Sequence, residues 1–337
     1  MKTRLASAFT FTATESMFKR VFLTGLGFLL IFIVLLGFYW SGESAAFSVE
    51  QKTAEKLALI GRDDVVGSTT TTALITVAET LLEKPGGYLS NDVSPPGIYL
   101  DNIPNWEFGV LVQVRDLTRA FRENFSRSQS QSTEDPDLII SEPNFHFNND
   151  SWLFPPTESE YGEAIDHLDS YLARITDPAN TDAQFYARAD NLANWLLAVE
   201  SRLGSLSQRL SASVRQQRIN KDAAAQSTPV RSETSVKTPW LQIDDIFYEA
   251  RGATWALMHF LQAVEIDFKD VLEDKNAVAS LSQIIREMEA SQRLVFVPVI
   301  LNGSGFGLFA NHSLTMANYI SRSNAAIIDL RSLLSQG

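Results

Sequence analysis

The sequence predicts an all-α protein: one N-terminal transmembrane helix followed by a mostly helical bundle with long coiled-coil-like helices. Three observations carry that expectation. The stretch Val21 to Trp40, VFLTGLGFLLIFIVLLGFYW, runs for 20 residues without a charge. Further on, apolar residues recur at helical spacing and, in two long stretches, at steps of seven. With 45% hydrophobic and 20% charged residues, the rest of the 337-residue chain has an ordinary globular balance and enough length to bury a core.

The uncharged stretch comes first. At about 1.5 Å rise per residue it makes a helix about 30 Å long, the thickness of a bilayer's hydrocarbon core. Thr24 is its one clearly polar side chain, and a threonine hydroxyl can bond back to a carbonyl one turn earlier. Lys2, Arg4, Lys19 and Arg20 precede it against the single acid Glu15, and Glu43 and Glu50 follow. This bias places residues 1–20 in the cytoplasm, with 21–40 as the membrane span and 41–337 on the far side of it. A cleaved signal peptide is the competing reading, with Ser44 and Ala46 near a plausible cleavage site, although its apolar core is normally about 7 to 15 residues.

Charge and composition exclude several classes. Of a formal charge of −12, the first 20 residues contribute +3, which leaves −15 downstream and argues against nucleic acid as a partner. The chain has no cysteine, which removes disulfides, thiolate metal sites and a cysteine nucleophile together. Four histidines are too few for a histidine-rich metal centre.

Beyond a polar collar, Phe47 to Arg62 and Ser68 to Lys84 have helical spacing, the second helix ended by Pro85, Gly86 and Gly87. YLSNDVSPPGIYLDNIPNWEFG, from Tyr88, mixes turn formers with aromatics and predicts an ordered loop. The helical period resumes at Trp106 with Val110, Val114, Leu117 and Phe121, then fades into a polar segment expected to be flexible near 127–137. Thr157 and Glu160 have capping-box spacing and open a helix through Ile175. The next helix is expected from Thr181, with seams at Leu192, Val199, Leu206 and at Ala189, Leu196, Leu203, Leu210. Residues 211–238 are polar and predict a flexible connection that lets the following helix, with Ile243, Ala250, Leu257, Val264 and Val271 in one register and Trp240, Phe247, Leu261 and Phe268 in the other, fold back on that seam. Helices over Asn276 to Arg293 and around Met316 to Leu334 close the chain, joined by a turn at Asn302 to Gly307.

GGYLSND (86–92), DNIPNWEFG (101–109) and LNGSGFG (301–307), together with the single anchor, make the chain similar over nearly its full length to domain-of-unknown-function family 2333 of bacterial inner-membrane proteins. That resemblance implies a bacterial envelope protein, with 21–40 in the inner membrane and 41–337 in the periplasm, and transfers no catalytic residue.

Candidate chemistry is thin. Glu163 and His167, with Asp166 beside them, share a helix face but lack further ligands, and Glu142 and His146 repeat the spacing in a proline-flanked stretch expected to be a loop. Gly303, Gly305 and Gly307 lack the Lys and Ser/Thr that a phosphate loop requires, and Ser304 is not in a nucleophile elbow. No catalytic, cofactor-binding or metal residue is assigned, and no cofactor is implied. One ligand or partner loop remains, formed by Tyr88, Asp92, Tyr99, Asp101, Asn102, Asn105, Trp106 and Glu107, whose oxygens and flat apolar rings suit recognition. The bland alternative is that its aromatics pin the loop to the bundle. The expectation is therefore a non-catalytic structural or protein-interaction component of the envelope, in contact with the membrane and other envelope proteins. An envelope enzyme or ligand-binding protein with a site at 88–107 is the alternative.

Overall fold

The computed structural model describes residues 2–128, 132–214, 216–219, 233–295, 299–304 and 307–336. It is helical almost throughout, as the periodicity requires. Helix α1 (Lys2–Trp40) continues back through the basic leader as one 39-residue helix. Helix α2 (Val49–Ile60) is opened by the Ser48 hydroxyl accepting from the Gln51 amide and closed by Gly61 in the left-handed region. There follow α3 (Ser68–Glu83), α4 (Asn102–Ala120, prolonged by a π-turn over Phe121–Phe125), α5 (Pro136–Phe145) and α6 (Thr157–Ile175). The second half holds α7 (Ala189–Ser211), α8 (Ile243–Asp267), α9 (Lys269–Asp274), α10 (Val278–Ser291) and α11 (His312–Ser335).

Helix α8 is the axis of the body. Between Ala250 and Leu261 every residue is buried, so the helix is enclosed on all sides, with α4, α3 and α10 as its main neighbours. It runs from an anchor end, where Arg251 meets Glu43 just after α1, to a far end, where Asp267 accepts from the amides of Gly67 and Thr70 (2.9 and 2.6 Å) and from the Thr70 hydroxyl. That carboxylate satisfies the otherwise unpaired amides at the start of α3. Burial nevertheless pushes its pKa up to about 6.

Several boundaries differ from the sequence expectation, each for a local reason. Helix α4 begins at Asn102 rather than Trp106, because the Asp101 carboxylate accepts the Asn102 amide and Pro104 falls in the first turn, where proline costs no hydrogen bond. Thr157 forms no capping box. It is the first helical residue of α6, and its hydroxyl donates to the carbonyls of Asn148 and Ser151 instead. The helix expected from Thr181 starts at Ala189: the Asn180 side chain closes a turn on the Asp182 amide, and the Tyr186 amide donates to the Phe125 carbonyl at 2.7 Å. Phe185 is thereby drawn among Phe121, Phe125 and Phe268, which a helix there would forbid. Residues 211–238 carry a short antiparallel ladder, β1 (Gln216–Ile219) with β2 (Glu233–Val236), where an irregular link was expected. Residues 129–131 of the 127–137 segment, and 215 and 220–232 of the connection, lie outside the described residues.

The largest correction concerns pairing. The seam of α7 packs chiefly against α11, not α8, and α8 packs chiefly against α4.

Candidate functional site at the anchor–body junction

The residues after α1 do not swing free. In the collar from Ser41 to Ser48, Glu43 takes both Nε (2.6 Å) and an amino group of Arg251, while the other amino group of Arg251 donates to the carbonyls of Ser291 (3.1 Å) and Arg293 (3.0 Å). The guanidinium is nearly buried, its charge neutralised and its donors used. Four residues on, the Phe47 ring stacks on His259 at 3.9 Å and 11°, and its amide donates to His259 Nε2 at 3.1 Å. Nδ1 of the same imidazole lies 2.8 Å from the Trp255 carbonyl, so the tautomer that satisfies both partners carries its proton on Nδ1. Burial lowers the His259 pKa to about 4 and keeps the ring neutral, which this hydrogen-bond pattern requires.

The loop after α3 closes on the same place from the other side. Gly86, at φ +90°, has no room for a Cβ against the Trp40 indole, and Pro96 and Leu100 lie against Gly37 inside α1. Beneath the loop, the Glu107 carboxylate accepts from the amides of Leu89 and Ser90 at 2.8 Å each, from the Ser90 hydroxyl and from Lys84 Nζ, which also bonds the Gly87 carbonyl. Both charged side chains are fully buried. Desolvation raises the Glu107 pKa, and Lys84 opposes that rise.

The eight residues singled out in the loop therefore divide. Tyr88, Trp106 and Glu107 point inward: the Tyr88 hydroxyl donates to the Asn149 carbonyl at 3.0 Å, and Trp106 meets Trp255 at 5.2 Å. Asn105 bridges the Asp101 carbonyl and Asp245. Asp92 is half-buried, its pKa raised by desolvation and then by Glu158. Asp101 caps α4 from an exposed position beside Asn102, and Tyr99 is 77% exposed. Tyr88, Trp106 and Glu107 are thus committed to internal packing and hydrogen bonds, while Tyr99 faces outward.

Three cavities adjoin the junction among the described residues, one of them of about 500 Å³ between the collar and the end of α3, lined by Tyr39, Phe47, Thr80 and Lys84. Of the other two, one of about 450 Å³ is lined by the collar with Tyr248 and Trp255, and one of about 440 Å³ by His312, Met316 and Tyr319; Phe247, Arg251, Leu294 and Val295 border both. Among the described residues no group of three metal-ligating side chains converges. Glu163 and His167 do not form a pair; His167 Nδ1 instead lies 2.9 Å from Asp137 of α5. Glu142 and His146 do meet, at 3.2 Å, because their segment is the end of α5 rather than a loop. Gly305 lies outside the described residues, and Gly303 bonds back to Ala310 in a turn.

Glu43, Arg251 and His259 carry the junction, and sequence spacing missed them because the collar lies more than 200 residues from Arg251 and His259. The available signal was an arginine and a histidine in a run, RGATWALMHFL, whose other residues are uncharged and, but for Thr254, apolar or glycine.

No curated protein and no solved structure matches the chain. Residues 13–337, which include α1 beyond its first turns, the collar and the whole body, match the family model described as "Uncharacterized protein conserved in bacteria (DUF2333)", and the chain belongs to that family.

Proposed function

We propose that the protein is a single-pass inner-membrane protein, its N-terminus cytoplasmic, whose periplasmic helical body serves as a structural or interaction component of the bacterial envelope. The observation that carries this reading is the fastening of α1 to the body. Lys19–Trp40 is long and apolar enough to cross a membrane, and with only 6% of its most apolar window buried it is not a core helix. A removable signal would leave the body complete. Here the body is shaped around the helix: Gly86 lacks a side chain where Trp40 sits, and Pro96 and Leu100 cover Gly37. The buried Arg251 takes its counter-ion from Glu43, three residues past the helix.

An anchor held this rigidly orients the bundle relative to the bilayer, which suits a component that presents a fixed surface to other envelope proteins. Two measurements test the reading. The mass of the chain extracted from membranes should include residues 1–40, and alkaline phosphatase fused after Gly337 should be active. A mature chain beginning near Ser44, or an inactive fusion, would overturn it.

A further inference from the structure

Loops at the anchor end carry a set of side chains that packing leaves unexplained. Among the described residues, the exposed aromatic side chains outside α1 are Tyr99, Trp152, Phe154, Trp240 and Phe309. They come from four separate loops, yet contacts tie each loop to the junction. Tyr99 follows Pro96, which lies against Gly37 of α1, one helical turn before Trp40. Trp152 and Phe154 belong to the α5–α6 loop, which is held to the α3–α4 loop by the Tyr88 hydroxyl on the Asn149 carbonyl and by Asn91 Nδ2 on the Ser151 carbonyl (2.8 Å). Trp240 lies three residues before α8, whose Phe247 and Tyr248 line a cavity together with the collar, and it shares a cavity wall with Asn302. Phe309 precedes α11, whose His312 ring lies 6.4 Å from Phe247.

The far end differs in kind. Among the described residues, the exposed apolar side chains there, Leu59, Ile60, Val65, Val66 and Ile266 among them, are aliphatic. Exposed Trp, Tyr and Phe gathered on one end of a body have a physical use where that end meets lipid, because amphipathic rings partition into the headgroup region of a bilayer.

We infer that this aromatic end is seated in the outer interface of the bilayer, with Tyr99, Trp152, Phe154, Trp240 and Phe309 inserted among the lipids around α1. The inference rests on the anchor reading above. The occupant is a bilayer rather than a protein because Pro96 and Leu100 already contact the helix at Gly37, inside the stretch that would lie in hydrocarbon, so the Tyr99 loop starts from membrane depth. Attraction to anionic headgroups is not the driving force: Asp92, Asp101, Asp150 and Asp244 lie in or beside these loops. Seating is therefore apolar and insensitive to salt.

The chain has no cysteine, so single labels can be placed cleanly. The full-length protein, reconstituted in phosphatidylcholine/phosphatidylglycerol vesicles, is spin-labelled singly at Leu30→Cys, Tyr99→Cys, Phe154→Cys, Phe309→Cys and Leu59→Cys. Collision with molecular oxygen and with a water-soluble nickel chelate is then compared. Labels at 99, 154 and 309 should favour oxygen several-fold over the Leu59 label and keep that ratio in about 1 M salt, where the Debye length is about 3 Å. A water-like ratio at any of the three, with Leu30 buried in lipid, overturns the seating and leaves the anchor standing. A water-like ratio at Leu30 overturns both.

Discussion

Two helix pairs hold this body together, and they do so by opposite means. Helices α7 and α11 meet through a wide seam of aliphatic side chains, with Leu196, Val199, Leu203 and Leu206 buried on one and Ile320, Ile327 and Leu330 on the other. They run antiparallel, as the pairs Glu200–Arg331 and Ser207–Ser321 show, and Gly204 leaves its Asn324 neighbour an ordinary contact distance. Helices α4 and α8 run parallel and meet backbone to backbone. A Cβ on Gly109 would overlap the Glu249 carbonyl oxygen, and one on Gly252 would overlap the Trp106 carbonyl oxygen. The first seam is held by volume and tolerates repacking; the second is held by the absence of two side chains and does not.

Gly109→Val should break that contrast most severely. The new side chain meets backbone rather than a movable side-chain end, so α4 and α8 must separate, and the helical signal should be lost or the unfolding midpoint should collapse. A near-native circular dichroism melt would refute the close contact. Next in size, Lys84→Met leaves Glu107 buried without its cation and should cost about 3 to 5 kcal/mol in chemical denaturation. Pairing it with Glu107→Leu should recover part of that loss, because the uncompensated charge is then gone. In the aliphatic seam Leu203→Ala should cost about 2 to 4 kcal/mol while the fold persists.

Acid separates the junction from the far end. His259 is neutral in the fold with a pKa of about 4, against 6.5 when unfolded, so the unfolded chain binds the extra proton and stability is lost as pH falls from 6.5 toward 4. Asp267 has the opposite sign: its folded pKa of about 6 lies above the unfolded value of 3.8, so its contribution improves as pH falls across that window. The stability difference between wild type and His259→Phe should accordingly shift against the wild type by about 2 to 3 kcal/mol from pH 7 to pH 4. The difference from Asp267→Asn should move the other way. Urea titrations at several pH values would expose a common sign, which would contradict these environments. Smallest of all, Ser207→Ala removes an exposed hydroxyl contact at the edge of the α7–α11 seam and should change stability by less than about 0.5 kcal/mol.

The junction shows how much of the candidate site was legible. Turn formers mixed with Tyr88, Tyr99 and Trp106 indicated an ordered loop, and the loop is packed by Tyr88 and by the buried Trp106. The aromatic count could not separate Trp106, which goes inward against Trp255, from Tyr99, which stays outside. Nor did any local pattern announce that Glu107 would be neutralised by Lys84, or Glu43 by Arg251, since an ion pair leaves no periodic trace in the chain.

The sequence by itself determined the helical class, the apolar span, the buried positions of α7 and the approximate extents of α2, α3, α6 and α10, because 3.6-residue periodicity and local capping act within one segment. Tertiary structure alone decided which seam met which. Hydrophobic burial is non-directional, so the leucines of α7 would be satisfied by any apolar partner of similar length. The choice fell to features that exist only between segments: the glycine contact that reserves α8 for α4, the ion pair that ties α7 to α11, and the Arg251 and His259 contacts that lay the collar of α1 along α8.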